Sequence, residues 1–463
     1  MKINKTAIHL IAVSIFALLS GCTQTPPAAP TVGLPSASAP TQTPQSFSST
    51  TPTPTRSSTN TPSPALPTPM TTADDTAASS AVIPIGPGGA DVIPHQIVRT
   101  NNDYLYIFTS QQSSNTLRVY RTSNPGLPDT TNDFALTLEL NESSEPISVD
   151  TLYDGEHVIH VLINTQAGEV KDYPFDTVTN TFQSPITLAV NSGTVSSDLY
   201  IGTSGISGML DANGVMHIVY WTNNDHIIYG AYTYNSKANT LTPTRASEQV
   251  DLSGNANHPV LAISPLDGSI TVAWVSQTND PAQILARTYL SSTDTWGNID
   301  IVSTAPVWVS SDNGINIDQG PSLLIDQAGT KHLTYIEQID YAVGDYGRIH
   351  YVMNNGGGWT DESLNAFSHD PALALNNTGT LYVIGHGHPL NPTCRSMDEM
   401  CVIQKNEGWE NPVIFASPPS GFSFDSSPSV KWSVIGFNRP NTIEFIFFMT
   451  PYYNTTVYYG RLP

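Results

Sequence analysis

Histidine, tyrosine and arginine side chains are concentrated in two short stretches of the second half of the chain. One stretch holds two histidines separated by a single glycine, with a third histidine shortly before them; the other holds two tyrosines and an arginine. Imidazole is the commonest general base near neutral pH, a tyrosine hydroxyl can return a proton, and a guanidinium stabilises developing negative charge. Together these groups could remove a proton α to a carboxylate. The candidate catalytic residues are His369, His386, His388, Tyr341, Tyr346 and Arg348.

The same region holds residues suited to binding rather than to proton transfer. Trp308 offers a flat apolar face on which a sugar ring could stack, with packing inside a loop as the alternative. Asp312, Asn316 and Asp318 supply oxygen ligands at alternating positions, as calcium loops do, without the full spacing or the closing glutamate of an EF-hand. Because the match to a calcium loop is partial, we expect no cofactor, and a bound calcium ion is the alternative. The candidate ligand-binding residues are Trp308, His258, His369, Asp370, Tyr341, Tyr346, Arg348, His386 and His388.

An internal repeat predicts the elements that position these residues. The segments 259–274, 321–335 and 371–384 each have the pattern of a strand, a tight turn rich in Asp, Asn and Gly, and a second strand. The same turn can be placed at seven positions separated by roughly 50 to 60 residues, which is the range typical of repeat architectures. These positions are Asp103, Gly155, Gly214, Gly268, Gly329, Gly379 and Asn441.

Each turn is followed by a third strand, which carries a tyrosine in six of the seven units, and in six units by a fourth strand that opens with a bulky residue. The seventh unit ends at its third strand, so the apolar run 81–85 is predicted to supply the missing outer strand. Pro84 is compatible with an outer edge, where one missing N–H breaks no interior ladder. The sequence therefore predicts an all-β fold, a seven-bladed β-propeller over residues 81–463, with six blades as the alternative. The tyrosines are Tyr120, Tyr173, Tyr232, Tyr289, Tyr351 and Tyr459, and the bulky residues are Phe134, Phe182, Leu241, Trp296, Trp359 and Trp409.

In such a blade, the loops that join strands two and three and those that join successive blades lie on one face of the disc. The repeat assigns the candidate residues to this face, on loops of blades four to six that are longer than their counterparts. Long loops in a compact domain are uncommon without a role. His217 and His332 occupy equivalent positions in the second strands and are predicted to be structural, and Trp296, Trp359 and Trp409 are predicted to pack between blades.

The repeat units resemble those of the sialidase and BNR-repeat propellers, best seen in Gly329 to His332 and Gly214 to His217. The resemblance implies the fold and not the reaction, since the three arginines and the other motifs of sialidases are not matched. His369-Asp370-Pro371 and the 385–388 segment also resemble motifs of propeller polysaccharide lyases. We therefore expect a propeller that binds an extracellular glycan or protein without catalysis, with a lyase or glycoside hydrolase as the alternative.

The N-terminal residues predict export and membrane attachment. Residues 1–21 have the basic start and short apolar core of a signal peptide, and Leu19-Ser20-Gly21-Cys22 matches the lipobox of bacterial lipoproteins, which makes Cys22 the predicted lipidation site. Residues 22–80 are rich in Pro, Ser and Thr, which predicts a disordered stalk. The expected location is therefore outside the cytoplasm, on a membrane.

The remaining cysteines and the charge narrow the chemistry further. With Cys22 lipidated, Cys394 and Cys401 are the two thiols left, and an exported domain favours a disulfide between them. The formal net charge of −22 and the lack of a basic stripe argue against a nucleic-acid partner. No segment suggests an oligomer interface, so we expect a monomer.

Overall fold

The computed structural model describes most of the chain beyond residue 80. The predicted signal peptide, Cys22 and the predicted stalk lie outside the described residues. No helix among the described residues is both long enough and apolar enough to cross a membrane. The described residues are 81–89, 95–111, 115–144, 146–190, 205–222, 224–279, 281–307, 320–338, 347–368, 371–376, 378–396, 399–417, 423–429, 442–450 and 455–462.

The described strands form seven antiparallel sheets, so the fold is a seven-bladed β-propeller and the six-bladed alternative is excluded. In blades 1 to 4 the strands run from the inner to the outer edge in chain order. Blade 1 has β2 (His95–Arg99), β3 (Leu105–Gln111), β4 (Thr116–Thr122) and β5 (Phe134–Asn141), the last preceded by a 3-10 turn (Thr131–Asp133); blade 2 has β6 (Pro146–Tyr153), β7 (Val158–Thr165), β8 (Glu169–Asp176), β9 (Thr181–Phe182) and β10 (Ile186–Val190); blade 3 has β11 (Ile206–Leu210), β12 (Val215–Trp221), β13 (Ile227–Asn235) and β14 (Thr240–Gln249); blade 4 has β15 (Ala256–Ile263), β16 (Ile270–Ser276), β17 (Gln283–Leu290) and β18 (Thr295–Ile301).

Blades 5 and 6 follow the same order, whereas blade 7 takes its outermost strand from the beginning of the described chain. Inner strands of consecutive blades contact one another around the whole ring, including those of blades 7 and 1. Blade 5 has β19 (Ser322–Ile325), β20 (Lys331–Glu337), β21 (Gly347–Asn354) and β22 (Trp359–Ser368); blade 6 has β23 (Ala372–Leu375), β24 (Leu381–His386), β25 (Met400–Lys405) and β26 (Val413–Ala416); blade 7 has β27 (Ser423–Ser429), β28 (Ile443–Thr450), β29 (Thr455–Leu462) and β1 (Ala81–Gly89).

Strand β1 closes the ring, as the sequence predicted. It pairs antiparallel with β29 in register from Ala81 opposite Arg461 to Gly89 opposite Thr455. Pro84 is exposed on this outer edge, where its missing N–H leaves the interior ladder intact. Gly86 allows the strand to approach blade 1, because a Cβ at this position would lie 2.9 Å from a ring carbon of Tyr120. The N-terminal strand thus joins the last blade to the first.

The turns between strands one and two have a common design. Of the seven predicted turn residues, the six that are described all have a positive φ, which explains their glycine or aspartate identity. In blade 5 the Asp326 carboxylate accepts hydrogen bonds from the backbone N–H groups of Ala328 (2.9 Å) and Thr330 (2.7 Å), so the side chain itself builds the turn. Asp211 in blade 3 and Asn376 in blade 6 accept in the same way. The Asp-x-x-Gly pattern of the repeat is therefore a turn motif.

Seven hydrophobic clusters fill the spaces between neighbouring blades, one for each interface in the described chain. The six predicted third-strand tyrosines all lie in third strands. Trp296, Trp359 and Trp409 pack against the clusters between blades 3 and 4, 4 and 5, and 5 and 6, as predicted. A blade therefore has an apolar partner on each side, and its sheet is stable only inside the ring.

A buried ion pair adds to the junction between blades 7 and 1. Arg99 at the end of β2 and Glu444 at the start of β28 are each 3 % exposed in their side chains, and the Arg99 Nε donates to Glu444 over 2.6 Å. Tyr459 on β29 donates its hydroxyl to the same carboxylate over 2.7 Å. Burial opposes the charge on Arg99, but the Glu444 carboxylate outweighs it and raises the pKa of the guanidinium. The closing blade is thus held by charge as well as by strand pairing.

We predict that Glu444→Ala lowers the free energy of unfolding by about 3 kcal/mol, because it removes the buried counter-ion of the Arg99 guanidinium and leaves the partly exposed Asp103 as its carboxylate partner. Glu362→Ala is the matched control, since Glu362 forms an exposed ion pair with Lys405 and should change stability by at most about 1 kcal/mol. Urea denaturation of the two variants measures the difference. Equal, small effects of both substitutions would contradict a role of the buried pair in ring closure.

Candidate functional site

The loops joining strands two to three and the connections between blades share one face of the ring, here named the 2–3 face. The described part of this face contains four of the predicted site residues: His258 on blade 4, Arg348 on blade 5, and His386 and His388 on blade 6. The other predicted site residues lie outside the described residues. These are Trp308, Asp312, Asn316, Asp318, Tyr341, Tyr346, His369 and Asp370.

In blade 6 the two histidines are enclosed in their own loop. His386 ends β24 and is 5 % exposed, and His388 is 1 % exposed. The backbone N–H of Leu390 donates to the Nδ1 of His388 over 3.1 Å, so this nitrogen is an acceptor. Burial lowers the pKa of His388, which favours the neutral ring. The structure therefore gives His388 the environment of a loop-building residue.

A disulfide between Cys394 and Cys401 ties this loop to the first residues of β25, as the sequence predicted. The carbonyl oxygen of Cys394 accepts from the backbone N–H of His388 over 3.0 Å. Gly387 packs so closely that a Cβ there would lie 2.1 Å from the Ser396 carbonyl oxygen. The loop is thus compact and cross-linked, with its imidazoles on the inside.

In blade 4 the innermost strand begins in a strained conformation. His258 is 8 % exposed and has φ 52°, in the left-handed region that non-glycine residues rarely occupy, and Asn255 has the same φ of 52°. The strand is irregular between Asn257 and Val260, and the Nδ1–H of His258 donates to the Asn257 side chain over 2.8 Å. Such strain persists where the surroundings fix the backbone, and it clusters at functional sites.

Asp251 fixes this strained segment from the blade connection that precedes it. Its buried carboxylate accepts from the backbone N–H groups of Ile227 (2.6 Å) and Gly254 (2.9 Å) and from the Nδ1–H of His226 (3.0 Å). The carbonyl oxygen of Gly254 in turn accepts from the Thr278 hydroxyl over 3.1 Å. The connection is therefore tied to the loop of blade 3 and to that of blade 4 at once.

Blade 5 contains a chain of ionisable groups that sequence reasoning missed. The His350 ring lies between two carboxylates, donating from Nδ1 to Asp361 over 2.7 Å and from Nε2 to Glu337 over 3.2 Å. Asp361 also accepts from the hydroxyls of Tyr335 and Thr304, each over 2.6 Å. Arg348, the member that was predicted, donates to Glu337 over 3.4 Å. The chain runs from the interface with blade 4 to the 2–3 face.

The protonation states of this chain follow from its geometry. Burial opposes the imidazolium, but the hydrogen bonds to Asp361 and Glu337 outweigh it and raise the pKa of His350. Burial alone would raise the pKa of Asp361, yet the hydrogen bonds from His350, Thr304 and Tyr335 outweigh it and lower that pKa to about 2. At neutral pH the chain thus holds an ionised Asp361, beside a ring whose charged form the two carboxylates stabilise.

The other histidines of the repeat are structural, as predicted. His217 bonds to the Tyr229 hydroxyl over 2.7 Å, and His332 bonds to the Tyr351 hydroxyl over 2.6 Å, each through Nδ1. Their Nε2 atoms face the turn carboxylates of Asp211 and Asp326. Both rings therefore link the first turn of a blade to its third strand.

A group with possible metal ligands lies on the opposite face. The donor atoms of Asp154, Glu156 and His157 are all within 4.8 Å of one another at the first turn of blade 2. One oxygen of Asp154 is already engaged, because it accepts from the backbone N–H groups of the next residues in the turn. The group is thus accounted for by the same turn design as in the other blades.

Comparison with known proteins gives likeness in shape alone. No protein-family model matches the chain, and no curated protein sequence matches it. Among solved structures, the SapL1 lectin in complex with α-methyl fucoside is similar with 14 % identity over 72 % of this chain and 99 % of the lectin, at a TM-score of 0.40. The α-L-arabinofuranosidase Arb93A from Fusarium graminearum is similar with 9 % identity over 82 % of this chain and 97 % of the enzyme, at a TM-score of 0.43.

A third similar structure is a complex of two proteins. BBS1N in complex with ARL6DN shares 11 % identity over 84 % of this chain and 96 % of its own, at a TM-score of 0.46. Values this low do not transfer a function from any of the three proteins. The function is therefore argued below from the residues of this chain.

The stability of the blade 5 chain should depend on pH in a defined window. The raised pKa of His350 stabilises the folded state. This contribution is fully present below pH 6.5, the ordinary pKa of histidine, and is lost as the pH rises through the pKa of His350 in the folded protein. The lowered pKa of Asp361 contributes stability that is present above its ordinary 3.8 and lost as the pH falls towards about 2. We predict that Asp361→Asn destabilises the protein most between these limits and less on either side. Urea denaturation from pH 3 to 9 measures this, with Glu362→Gln as the control; a pH-independent effect of Asp361→Asn would contradict the assignment.

Proposed function

We propose that the protein is a membrane-anchored lipoprotein whose propeller binds an extracellular glycan at the 2–3 face of blades 4 to 6, without catalysis. The observation that supports this most is the strained segment at the start of β15, where His258 has a left-handed backbone at the inner end of blade 4. Strain of this kind costs about 1–3 kcal/mol per residue and is retained where it serves a site.

The chemistry of this segment suits a ligand rich in hydroxyl groups. The His258 ring is buried and holds the Asn257 side chain. Asn255 is exposed and Asn257 half-buried, so both can offer amide groups, and Ser253 and Thr278 add hydroxyls nearby. Such groups both donate and accept hydrogen bonds without carrying a fixed charge, so they can match the mixed donors and acceptors of a sugar. An ionic ligand would gain less from them.

The burial of the blade 6 histidines supports binding over catalysis. A general base must reach the proton that it removes, either directly or through one water molecule. His386 and His388 are 5 % and 1 % exposed, and His388 already accepts a hydrogen bond from the backbone through Nδ1. Neither residue is therefore placed as a base at the surface of the ring in the described structure.

We predict that His258→Gly weakens binding to the recognised glycan by about tenfold or more, since it removes the ring that holds the Asn257 side chain, while glycine accepts the left-handed backbone without strain. The full-length protein and the variant are compared on a broad glycan array, with His157→Gly on the opposite face as the matched control. A chain that binds no glycan would contradict the proposal and turn attention to a protein ligand. Release of shortened or unsaturated sugars from the array would contradict the absence of catalysis.

We also predict that Cys22→Ser releases the protein from membranes. The wild-type chain should sediment with the membrane fraction and show the added mass of acyl chains on Cys22, because two or more chains hold a protein firmly to a bilayer. The variant should lack this added mass and should no longer sediment with the membrane fraction. An unmodified Cys22 in the wild-type protein would contradict the proposed anchor.

A further inference from the structure

Glu337 lies at the 2–3 face and is partly exposed there. It is the last residue of β20, and in the register of blade 5 it lies opposite Arg348, the second residue of β21. Its Oε2 accepts from His350 and Arg348, whereas no residue in the described part of the chain donates to its Oε1. The side chains of Glu337 and Arg348 are 21 % and 41 % exposed. Within the described part of the chain, Glu337 thus has acceptor capacity that is not used, at the face proposed to bind the ligand.

The backbone holds Glu337 in a fixed position. Glu337 forms an isolated bridge with Val307, and the N–H of Gln338 donates to the Pro306 carbonyl oxygen over 2.9 Å. On the other side, β21 approaches so closely that a Cβ at Gly347 would lie 2.2 Å from the Glu337 carbonyl oxygen. The residue is therefore clamped between the connection from blade 4 and the third strand of its own blade.

The side chain is held equally firmly from behind. His350 reaches Glu337 with Nε2 while its Nδ1 is fixed by Asp361. Asp361 has no freedom to turn, because it also accepts from the hydroxyl of Tyr335 and from both the N–H and the hydroxyl of Thr304. The direction in which Oε1 points is thus set by a chain of hydrogen bonds that runs back into the interface between blades 4 and 5.

The local charge favours an uncharged partner for this oxygen. Two carboxylates, Asp361 and Glu337, are balanced by the Arg348 guanidinium and by the His350 ring, whose pKa is raised. When the His350 ring is charged, these four groups carry no net charge and offer little net attraction to a free cation, whereas a fixed carboxylate oxygen accepts strong hydrogen bonds from hydroxyl groups. One carboxylate oxygen has two lone pairs and can serve two neighbouring hydroxyls.

We infer that Glu337 is a ligand-contacting residue whose Oε1 accepts hydrogen bonds from vicinal hydroxyl groups of a neutral sugar, and that His350 and Asp361 are its positioning residues. The inference deepens the proposed glycan binding and rests on it. It adds a second contact point on blade 5, next to the His258 segment of blade 4, and it specifies a ligand with a free diol.

The test uses the full-length protein and immobilised neutral polysaccharides, namely mannan, galactan, arabinan and xylan. Each is presented intact and after periodate cleavage of its vicinal diols. The substitution Glu337→Gln keeps the size of the side chain. Its amide oxygen should turn to the donors of Arg348 and His350, which places a donor where the ligand needs an acceptor. Glu362→Gln is the matched control, since Glu362 lies on the outer strand of the same blade.

The expected result is binding of the wild-type chain to an intact polysaccharide, loss of that binding after periodate treatment, and at least about tenfold weaker binding by Glu337→Gln, the usual effect of losing a hydrogen bond to a charged group. Glu362→Gln should bind like the wild-type chain. Wild-type binding that survives Glu337→Gln or periodate treatment would overturn the inference and leave glycan binding intact. No binding of the wild-type chain to these polysaccharides or to the broad array would overturn both.

Asp361→Asn separates positioning from general stability. In the wild-type protein, binding should weaken as the pH rises through the titration of His350, which NMR of the imidazole follows directly. In Asp361→Asn the ring loses a carboxylate partner, so both the titration and the loss of binding should shift together to lower pH. A variant that is destabilised but keeps the wild-type pH profile of binding would overturn the positioning role.

Discussion

Ring closure is the constraint on which the rest of the structure depends. Each blade buries its apolar faces only against its two neighbours, so an open ring would expose one face of blade 1 and one of blade 7. The pairing of β1 with β29 removes both ends at once, and the buried Arg99–Glu444 pair joins the inner strand of blade 1 to the second strand of blade 7. Arg99 also pairs with Asp103, and Glu444 also accepts from Tyr459, but a shifted closure would still separate the buried guanidinium from the buried carboxylate.

Ring closure still leaves an outer strand exposed in every blade, and the fold reduces the risk that these strands pair with another chain. A long, flat outer strand would be a template for pairing with another chain. In all seven sheets the pairing of the outermost strand with its neighbour contains a register shift. Such irregularities bend and twist the edge, which disfavours further strand addition. The same repeat that builds the core therefore also protects the rim.

The repeat explains how much of the fold the sequence could predict. The positive φ at turns such as Gly329, the third-strand tyrosines and the closing run 81–85 all follow from local pattern, and the structure confirms them. The Arg99–Glu444 pair could not be predicted in this way, because its members are 345 residues apart and meet only after the ring closes. The disulfide was predictable because setting Cys22 aside as the predicted lipidation site leaves two cysteines, seven residues apart, and hence a single pairing.

The site was predictable to a smaller extent, for a physical reason. Loop length and residue type led to Arg348, His258, His386 and His388, but they gave no information on burial. The Asp361–His350–Glu337 chain combines residues from three strands, and its members contact one another only through the register of β20, β21 and β22. A weak signal was present, since His350 follows Arg348 by two residues and so shares its side of the strand.

The polar groups of blades 5 and 6 at the 2–3 face differ in how far their hydrogen-bonding capacity is already used, and this difference distinguishes a structural role from ligand binding. In blade 6 the His388 ring accepts from its own loop, and the disulfide holds that loop closed around it. In blade 5 the chain of hydrogen bonds ends at the Glu337 carboxylate. Its Oε2 accepts from Arg348 and His350, whereas its Oε1 has no donor among the described residues. A rigid scaffold whose described residues leave one acceptor without a donor gains by binding a donor, because the cost of ordering the group has been met during folding. The position of unused hydrogen-bonding capacity, more than the number of histidines, therefore indicates where a ligand would bind.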